Sequence, residues 1–312
     1  MNKRTILCYG ELVVDCFGNV QDGFIPKFGG APANTAIGLS KLSDATVRYA
    51  GKVGTDFFGD FMEQTLVDNG VDTTSLFRDN NHKTTLAFVS LAEDGDRSFS
   101  FFSGAHDKVT KNETDTIQID DVSILQFGSL TQSNDVCQNA TRSLLERCIQ
   151  ENVFISYDPN VREALWENLN LLRTTIVETL PHVNMVKINE EELEFLSSQK
   201  DVKAGAEILW NDSMQLMLVT LGAKGVYWKS RTGSGYAETI EVSAVDTTGA
   251  GDAFNAGLLS QLLPHIVSGT LNASDEEIAI AVNYAAKVAS LSTTKKGATE
   301  AIPSAEEMKN YS

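Results

Sequence analysis

Along most of this chain, short apolar runs of strand length alternate with longer segments whose apolar residues recur every three or four positions. Residues 6–15 read as a buried strand, and 33–42 as a helix with Ala36, Ile37, Leu39 and Leu42 on one face. A short strand at 47–51 precedes a helix at 58–69, which Gly70 stops. The rhythm then breaks. Residues 84–91 and 97–102 are two strand-like runs joined by Glu93-Asp94-Gly95-Asp96, a hairpin-turn composition. Residues 16–27 are also Gly-punctuated and poor in helix pattern. Alternation resumes with strands at 124–127, 154–158 and 183–188, leading into helices at 135–150, 169–179 and 190–197. A strand at 216–220 leads into a hairpin over 225–241, and two last helices cover 252–263 and 275–290.

This order predicts an α/β fold, a mostly parallel central sheet with helices on both faces. The β segments inserted at 16–27 and 84–103 predict a small β lid on that sheet. No linker or repeat interrupts residues 1–312, so the expectation is one domain carrying a lid.

Composition narrows the function classes. A chain of 312 residues buries roughly 75% of its unfolded surface and needs no disulfide or structural metal to hold a core. The formal net charge of −17 argues against nucleic-acid binding and against docking on anionic lipid, and no apolar stretch reaches membrane-spanning length. Cys8, Cys16, Cys137 and Cys148 show no metal-ligand spacing, and residues 1–5 run directly into a strand pattern, so the reduced cytoplasm is the expected compartment. The scattered histidines form no H-E-x-x-H. An acidic protein that handles phosphate must concentrate positive potential locally, through backbone N–H groups or bound cations.

The run Asp246-Thr247-Thr248-Gly249-Ala250-Gly251-Asp252 supplies such a place. Its glycines let a ligand approach the backbone, and the helical pattern that follows puts them at a helix N-terminus, where free N–H groups and the dipole favour phosphate. Asp252 in the first turn is placed to take a proton from an attacking alcohol. Read alone, Gly-Ala-Gly-Asp is equally a tight turn with a capping residue. Gly29-Gly30-Ala31-Pro32-Ala33-Asn34 also opens a helix. Asn189-Glu190-Glu191-Glu192 puts an acidic cluster at another helix start, which by itself is a dipole-compensating surface feature. Thr220-Leu221-Gly222-Ala223-Lys224-Gly225 is a strand end and a Gly-flanked turn. There is no G-x-x-x-x-G-K-[ST] loop.

Taken together, residues 246–259 resemble the second signature of the ribokinase-like (PfkB) carbohydrate kinases, and residues 29–36 resemble the first. A one-residue insertion near Ser43-Asp44 is the departure in the first. The resemblance spans nearly the whole chain and implies a ribokinase-like fold and an ATP-dependent sugar kinase. It implies Asp252 as catalytic base and Gly249, Ala250 and Gly251 as the anion hole. Asp15, Gly29, Gly30, Asn34 and Arg162 are implied for the sugar, with Arg162 read equally as an ordinary surface pair. Thr220, Gly222, Gly225 and Asn283 are implied for ATP. Asn189 and Glu192 match an N-x-x-E motif that orders Mg2+ through water. Asp246 and Thr248, with backbone from 295–297, are implied for a monovalent cation such as K+, though a plain turn cap explains Asp246 as well.

Within the family, Gly10-Glu11-Leu12-Val13-Val14-Asp15, Thr85-Leu86-Ala87-Phe88-Val89 and Asp158-Pro159-Asn160-Val161-Arg162 look like fructokinase segments, and ketodeoxygluconate kinases share several of them. Where both groups often carry an Arg after the lid strand, this chain has Phe101-Phe102-Ser103, which leans away from a sugar acid. The expected reaction is transfer of the ATP γ-phosphate to the 6-hydroxyl of fructose; a catalytically silent sugar-binding relative is the reading from another class. Phe99 and Phe101 against Leu86 and Phe88 give the lid an apolar face, which either covers the sugar or pairs with a second lid in a homodimer.

Overall fold

The computed structural model describes residues 4–91 and 97–311, so the expected turn at 93–96 lies outside the described residues. In chain order the first half contains β1 (Thr5–Tyr9), β2 (Val13–Asn19), β3 (Gly23–Gly29), α1 (Ala31–Leu42), β4 (Thr46–Gly54), α2 (Phe57–Asp68), β5 (Asp72–Asp79), β6 (Thr85–Leu91), β7 (Arg97–Phe102), α3 (Lys111–Thr114) and β8 (Val122–Gly128). The second half contains α4 (Asp135–Gln150), β9 (Phe154–Asp158), α5 (Leu169–Thr179), β10 (Met185–Asn189), α6 (Glu190–Ser197), α7 (Val202–Leu209), β11 (Leu216–Thr220), β12 (Val226–Ser230), β13 (Ser234–Ala237), α8 (Ala250–Leu262), α9 (Asp275–Ser292) and α10 (Ala305–Lys309). Helix starts follow capping chemistry. Asp56 and Asn134 accept first-turn N–H groups of α2 and α4, and Ser274 with Glu277 forms a capping box on α9.

Nine strands form the main sheet in the order β13-β12-β11-β10-β9-β8-β1-β4-β5. Pairing is parallel from β11 to β5, and β12 and β13 add an antiparallel edge. Every residue of β1 is buried, as expected of a parallel strand covered on both faces. Ile6 and Cys8 join Ile37, Leu39, Leu258 and Val282 on one side, and Leu7 and Tyr9 join Leu144 and Ile176 on the other. Each fully buried Leu or Ile contributes roughly 1.5–3 kcal/mol.

From β1 the chain builds outward to β4 and β5, and then returns to build β8 through β11 on the opposite side. The sheet therefore has a switch point between β1 and β8, and in such sheets ligands bind outside the carboxyl ends of the strands at that point.

The run 6–15 is not one strand. It breaks at residues 10–12, because Gly10 passes so close to the Pro32 ring that a Cβ there would overlap it. The chain turns out of the main sheet, and β2 joins a second sheet of order β3-β2-β6-β7, the lid. Its strands are Val13–Asn19, Gly23–Gly29, Thr85–Leu91 and Arg97–Phe102, so the first begins before residue 16. The register also differs from the sequence expectation. Phe101 stands opposite Ala87 and Phe99 opposite Val89, whereas Leu86 faces Phe102 and Phe88 faces Ser100. A one-residue slip exchanges the two faces of a strand. Phe99 and Phe101 consequently share a face with Asp15, Phe17 and Ile25, and Phe24, Phe88 and Phe102 pack edge to face on the other.

Candidate active site

Helix α8 starts without a side-chain cap. Its N-cap is Gly249 at φ 77°, a left-handed conformation in which a Cβ would also press on Ala298 at 2.9 Å. The Ala250 N–H turns back to Thr247 O at 3.2 Å, and those of Gly251 and Asp252 find no acceptor among the described residues. Two unpaired donors at the positive end of a thirteen-residue helix form a ready anion site.

The Asp252 carboxylate points away from that end. Its Oδ2 accepts the Asn34 side-chain amide at 2.9 Å, and the group is buried. Burial pushes its pKa up to about 6; the Asn34 hydrogen bond opposes this, the Asp158 charge adds to it, and Lys187 and Arg162 hold it down. A base that titrates close to neutrality is matched to proton abstraction from an alcohol.

Beneath this corner lies a buried ion cluster. Lys187 Nζ meets Asp158 Oδ2 at 3.0 Å, and Asn255 donates to the same oxygen at 2.7 Å. A Cβ on Gly251 would sit 2.9 Å from Lys187 Nζ, so the ammonium lies directly against the start of α8. Burial opposes the Lys187 charge, but Asp158 and Glu192 outweigh it and raise the pKa. Asn189 and Glu192 form a capping box on α6, with Glu192 Oε2 accepting Asn189 N–H at 2.9 Å and Oε1 accepting Val161 N–H at 2.7 Å. Burial, with the charge of Asp158, raises the Glu192 pKa.

On the lid side, Asp15 is held above about its ordinary range by burial, at about 6, with Arg162 opposing. Gly29 is required because its Cα packs under the Asp15 carboxylate, where a Cβ would overlap Oδ2. Gly30, at φ 110°, passes the Glu11 carbonyl as closely. Arg162 is exposed and makes no ion pair among the described residues, yet its charge acts on Asp15, Glu11 and Asp252. Arg162 thus acts electrostatically on three carboxylates.

A cleft of about 490 Å3 reaches the same helix start from the opposite side. Thr220, Gly222 and Gly225 line it, with Ala250 and Gly251 at one end and Ala286 and Ser290 of α9 along a wall. Asn283 is not part of that lining. It is exposed and donates to Ala279 O at 2.8 Å, because the cleft meets α9 one turn further along. Asp246 Oδ1 accepts Thr248 N–H at 3.0 Å and Oδ2 accepts Gly297 N–H at 3.1 Å, which joins the two segments expected around a monovalent cation. Among the described residues no group of three or more His, Cys, Asp or Glu side chains is arranged to hold a metal, and no helix is long and apolar enough to cross a membrane.

A family model described as pfkB family carbohydrate kinase matches residues 3–305. The chain belongs to that family. It is 34% identical over 317 residues to Fructokinase-1 of Zea mays, covering 98% of this chain and 97% of the relative. Among solved structures it is similar to a fructokinase with bound ATP from Xylella fastidiosa, at 32% identity and TM-score 0.91, covering 99% of this chain and 98% of that one. It is also similar to a fructokinase from Vibrio cholerae O395 in fructose, ADP and calcium ion bound form, at 32% identity and TM-score 0.88 over the same shares.

Sequence reasoning passed over two buried groups that this carbohydrate kinase places at the corner, Lys187 and Glu11. A signal existed for the first. Lys187 is a lone charge inside the apolar run 183–188, and a lysine that a strand buries must be paired. Glu11 lay inside what read as one continuous strand, so nothing placed it at a turn.

Proposed function

We propose that this chain is an ATP-dependent fructokinase that transfers the γ-phosphoryl group of ATP to the 6-hydroxyl of D-fructose. The observation that carries the reading is the division made at the start of α8. Gly251 lines the large cleft, and Asp252, the next residue, turns its carboxylate to Asn34 of α1. A nucleotide in the cleft ends at the free N–H groups, and an alcohol held beside Asn34 meets a carboxylate of raised pKa.

In this reading Asp15, Gly29, Gly30, Asn34 and Arg162 hold the sugar. Asn34 uses its amide on Asp252 and keeps Oδ1 for a hydroxyl. Asp252 takes the hydroxyl proton. Gly249, Ala250 and Gly251 cradle the transferring group, with the Lys187 ammonium fixed behind them. Thr220, Gly222 and Gly225 contact the nucleotide. The carboxylates of Asp15, Glu11 and Asp252 face a single guanidinium, Arg162, which favours a neutral sugar over a sugar acid such as ketodeoxygluconate.

Mg2+ fits the site as an ion carried with the phosphates. Each Glu192 oxygen accepts one backbone N–H and retains a lone pair for an ordered water, with Asn189 beside it. Bound there, the ion neutralises phosphate charge. Asp246 and Thr248, tied to Gly297, are the residues that would hold K+ beside the anion hole. The four described cysteines are free and buried, in keeping with a cytoplasmic enzyme. A second copy is proposed to cover the exposed Phe17, Ile25 and Phe99 of the lid.

The test is coupled ADP release with fructose, ribose, ketodeoxygluconate and nucleosides. The reading expects the highest kcat/KM with fructose. Turnover with none of the panel would favour a silent sugar-binding protein.

A further inference from the structure

At the switch point of the sheet, behind Asp252, four buried side-chain oxygens have no partner among the described residues: Glu11 Oε2, Thr35 Oγ1, Gln126 Oε1 and Ser129 Oγ. They come from the break between β1 and β2, from α1, from β8 and from the turn after β8, and these residues all line one cavity that Asp252 also lines. Its volume is about 10 Å3, roughly what one water molecule needs. Buried polar groups are rarely left unpaired, and a water with two to four polar partners is the usual resolution. Glu11 is held in place from its other oxygen, because Oε1 accepts Ala31 N–H at 3.1 Å.

We propose that Glu11, Thr35, Gln126 and Ser129 hold one ordered water against Asp252, and that Glu11 receives through this water the proton Asp252 takes from the sugar. The inference rests on the reading of Asp252 as base. As the bond from the sugar oxygen to the γ-phosphorus forms and the bond from that phosphorus to the ADP oxygen breaks, the hydroxyl proton passes to Asp252. Asp252 then gives a proton to the water, and the water gives one of its own to the Glu11 carboxylate. One proton crosses the cavity and the water is regenerated.

The electrostatics agree with this direction of transfer. Burial pushes Glu11 up to about 7, its backbone hydrogen bonds oppose this, the Asp252 charge adds to it, and Arg162 counters. Asp252 stands lower, at about 6, so the proton runs to the more basic group. The other charged or titratable groups facing the pair are Asp158 from the end of β9, Lys187 from β10 and Tyr49 from β4, whose hydroxyl donates to Gly10 O at 2.8 Å. Tyr49 lies well above its ordinary value and stays neutral.

The test combines pH profiles of Glu11→Gln, Ser129→Ala and Asp252→Asn with a crystal structure of the sugar complex fine enough to place waters. For the unaltered enzyme, kcat/KM should fall on the acid side in two steps, near the free-enzyme values of Glu11 and Asp252, about 7 and about 6. Glu11→Gln keeps the acceptor for Ala31, removes the upper step and lowers the plateau kcat about tenfold, a fraction of the ~10²–10⁴ of a positioned base. Ser129→Ala lowers kcat but keeps both steps, and it carries the test with the crystal structure if Glu11→Gln does not fold. Both steps and full kcat in Glu11→Gln, or a sugar oxygen in place of water at Glu11 Oε2, would overturn the proposal. Turnover retained in Asp252→Asn would instead remove the base, so the two failures are distinguishable.

Discussion

The Asn34 amide donates to Asp252 Oδ2 at 2.9 Å, although 218 positions separate the two residues in sequence. Each belongs to one of the Gly-rich segments that open α1 and α8, so this bond ties the starts of the two helices, which also pack together where Gly38 meets Ala256. The second Asp252 oxygen has no donor among the described residues.

Replacing that carboxylate tests its role. Asp252→Asn keeps an acceptor for Asn34 and should lower kcat by ~10²–10⁴ with both KM values little changed. An ADP-release assay reads the loss. A variant retaining most of its kcat would refute the assignment of Asp252 as base.

The same substitution has a thermodynamic sign. The Asp252 pKa lies at about 6 in the folded chain against an ordinary 3.8, so between these values the folded state binds more protons than the unfolded. Stability therefore falls as pH rises through that window, and the loss persists at neutral pH. Asp252→Asn should show a higher urea midpoint than the parent at neutral pH, and the gap should close below about pH 4. Inactivity together with greater stability is the expected pair of results.

Lys187→Met should destabilise by about 3–5 kcal/mol, because it strands the buried Asp158 carboxylate. Adding Asp158→Asn should restore much of the urea midpoint without restoring kcat. Recovery of kcat in the double variant would show that Lys187 serves the fold alone.

Gly29→Ala pushes a methyl group into the Asp15 carboxylate. The expected result is a sugar KM raised about 10- to 100-fold, the worth of one hydrogen bond to a charged group, with the ATP KM unchanged. Gly249→Ala should instead lower stability by about 1–3 kcal/mol, since its φ of 77° is left-handed and Ala298 blocks the side chain.

Ile25→Asp should convert a lid-paired dimer to monomer, read by light scattering after size exclusion. A parent protein that is already monomeric at high concentration would refute the pairing.

Much of the fold is legible in the sequence where local signals agree. Asn134 and Asn168 stand just before unbroken helical patterns, and α4 and α5 begin where those caps put them. Strand β5 is not legible, since Asp-Thr-Thr-Ser-Leu-Phe-Arg-Asp neither alternates nor runs apolar, and it pairs only at the sheet edge. The break at Gly10 is hidden because strands on both sides of it are apolar, and only the approach of Pro32 separates them. In the site, Gly-Gly and Gly-Ala-Gly-Asp are visible because each needs a special backbone. Lys187 draws its importance from Asp158, 29 positions away, and Glu11 from Ala31, 20 positions away, and from Asp252, none of which a local pattern contains.

The break at Gly10 has a consequence for economy. It sends β2, and Asp15 with it, into the lid, while Asn34 and Asp252 stay with the helices of the main body. In the proposed reading an acceptor therefore reaches two separately mounted parts. Water is the smallest hydroxyl nucleophile and outnumbers every sugar in the cell, yet it has no second hydroxyl with which to reach the lid. With one carboxylate on the lid sheet and one on a helix of the main body, the proposed site favours an acceptor with several hydroxyls.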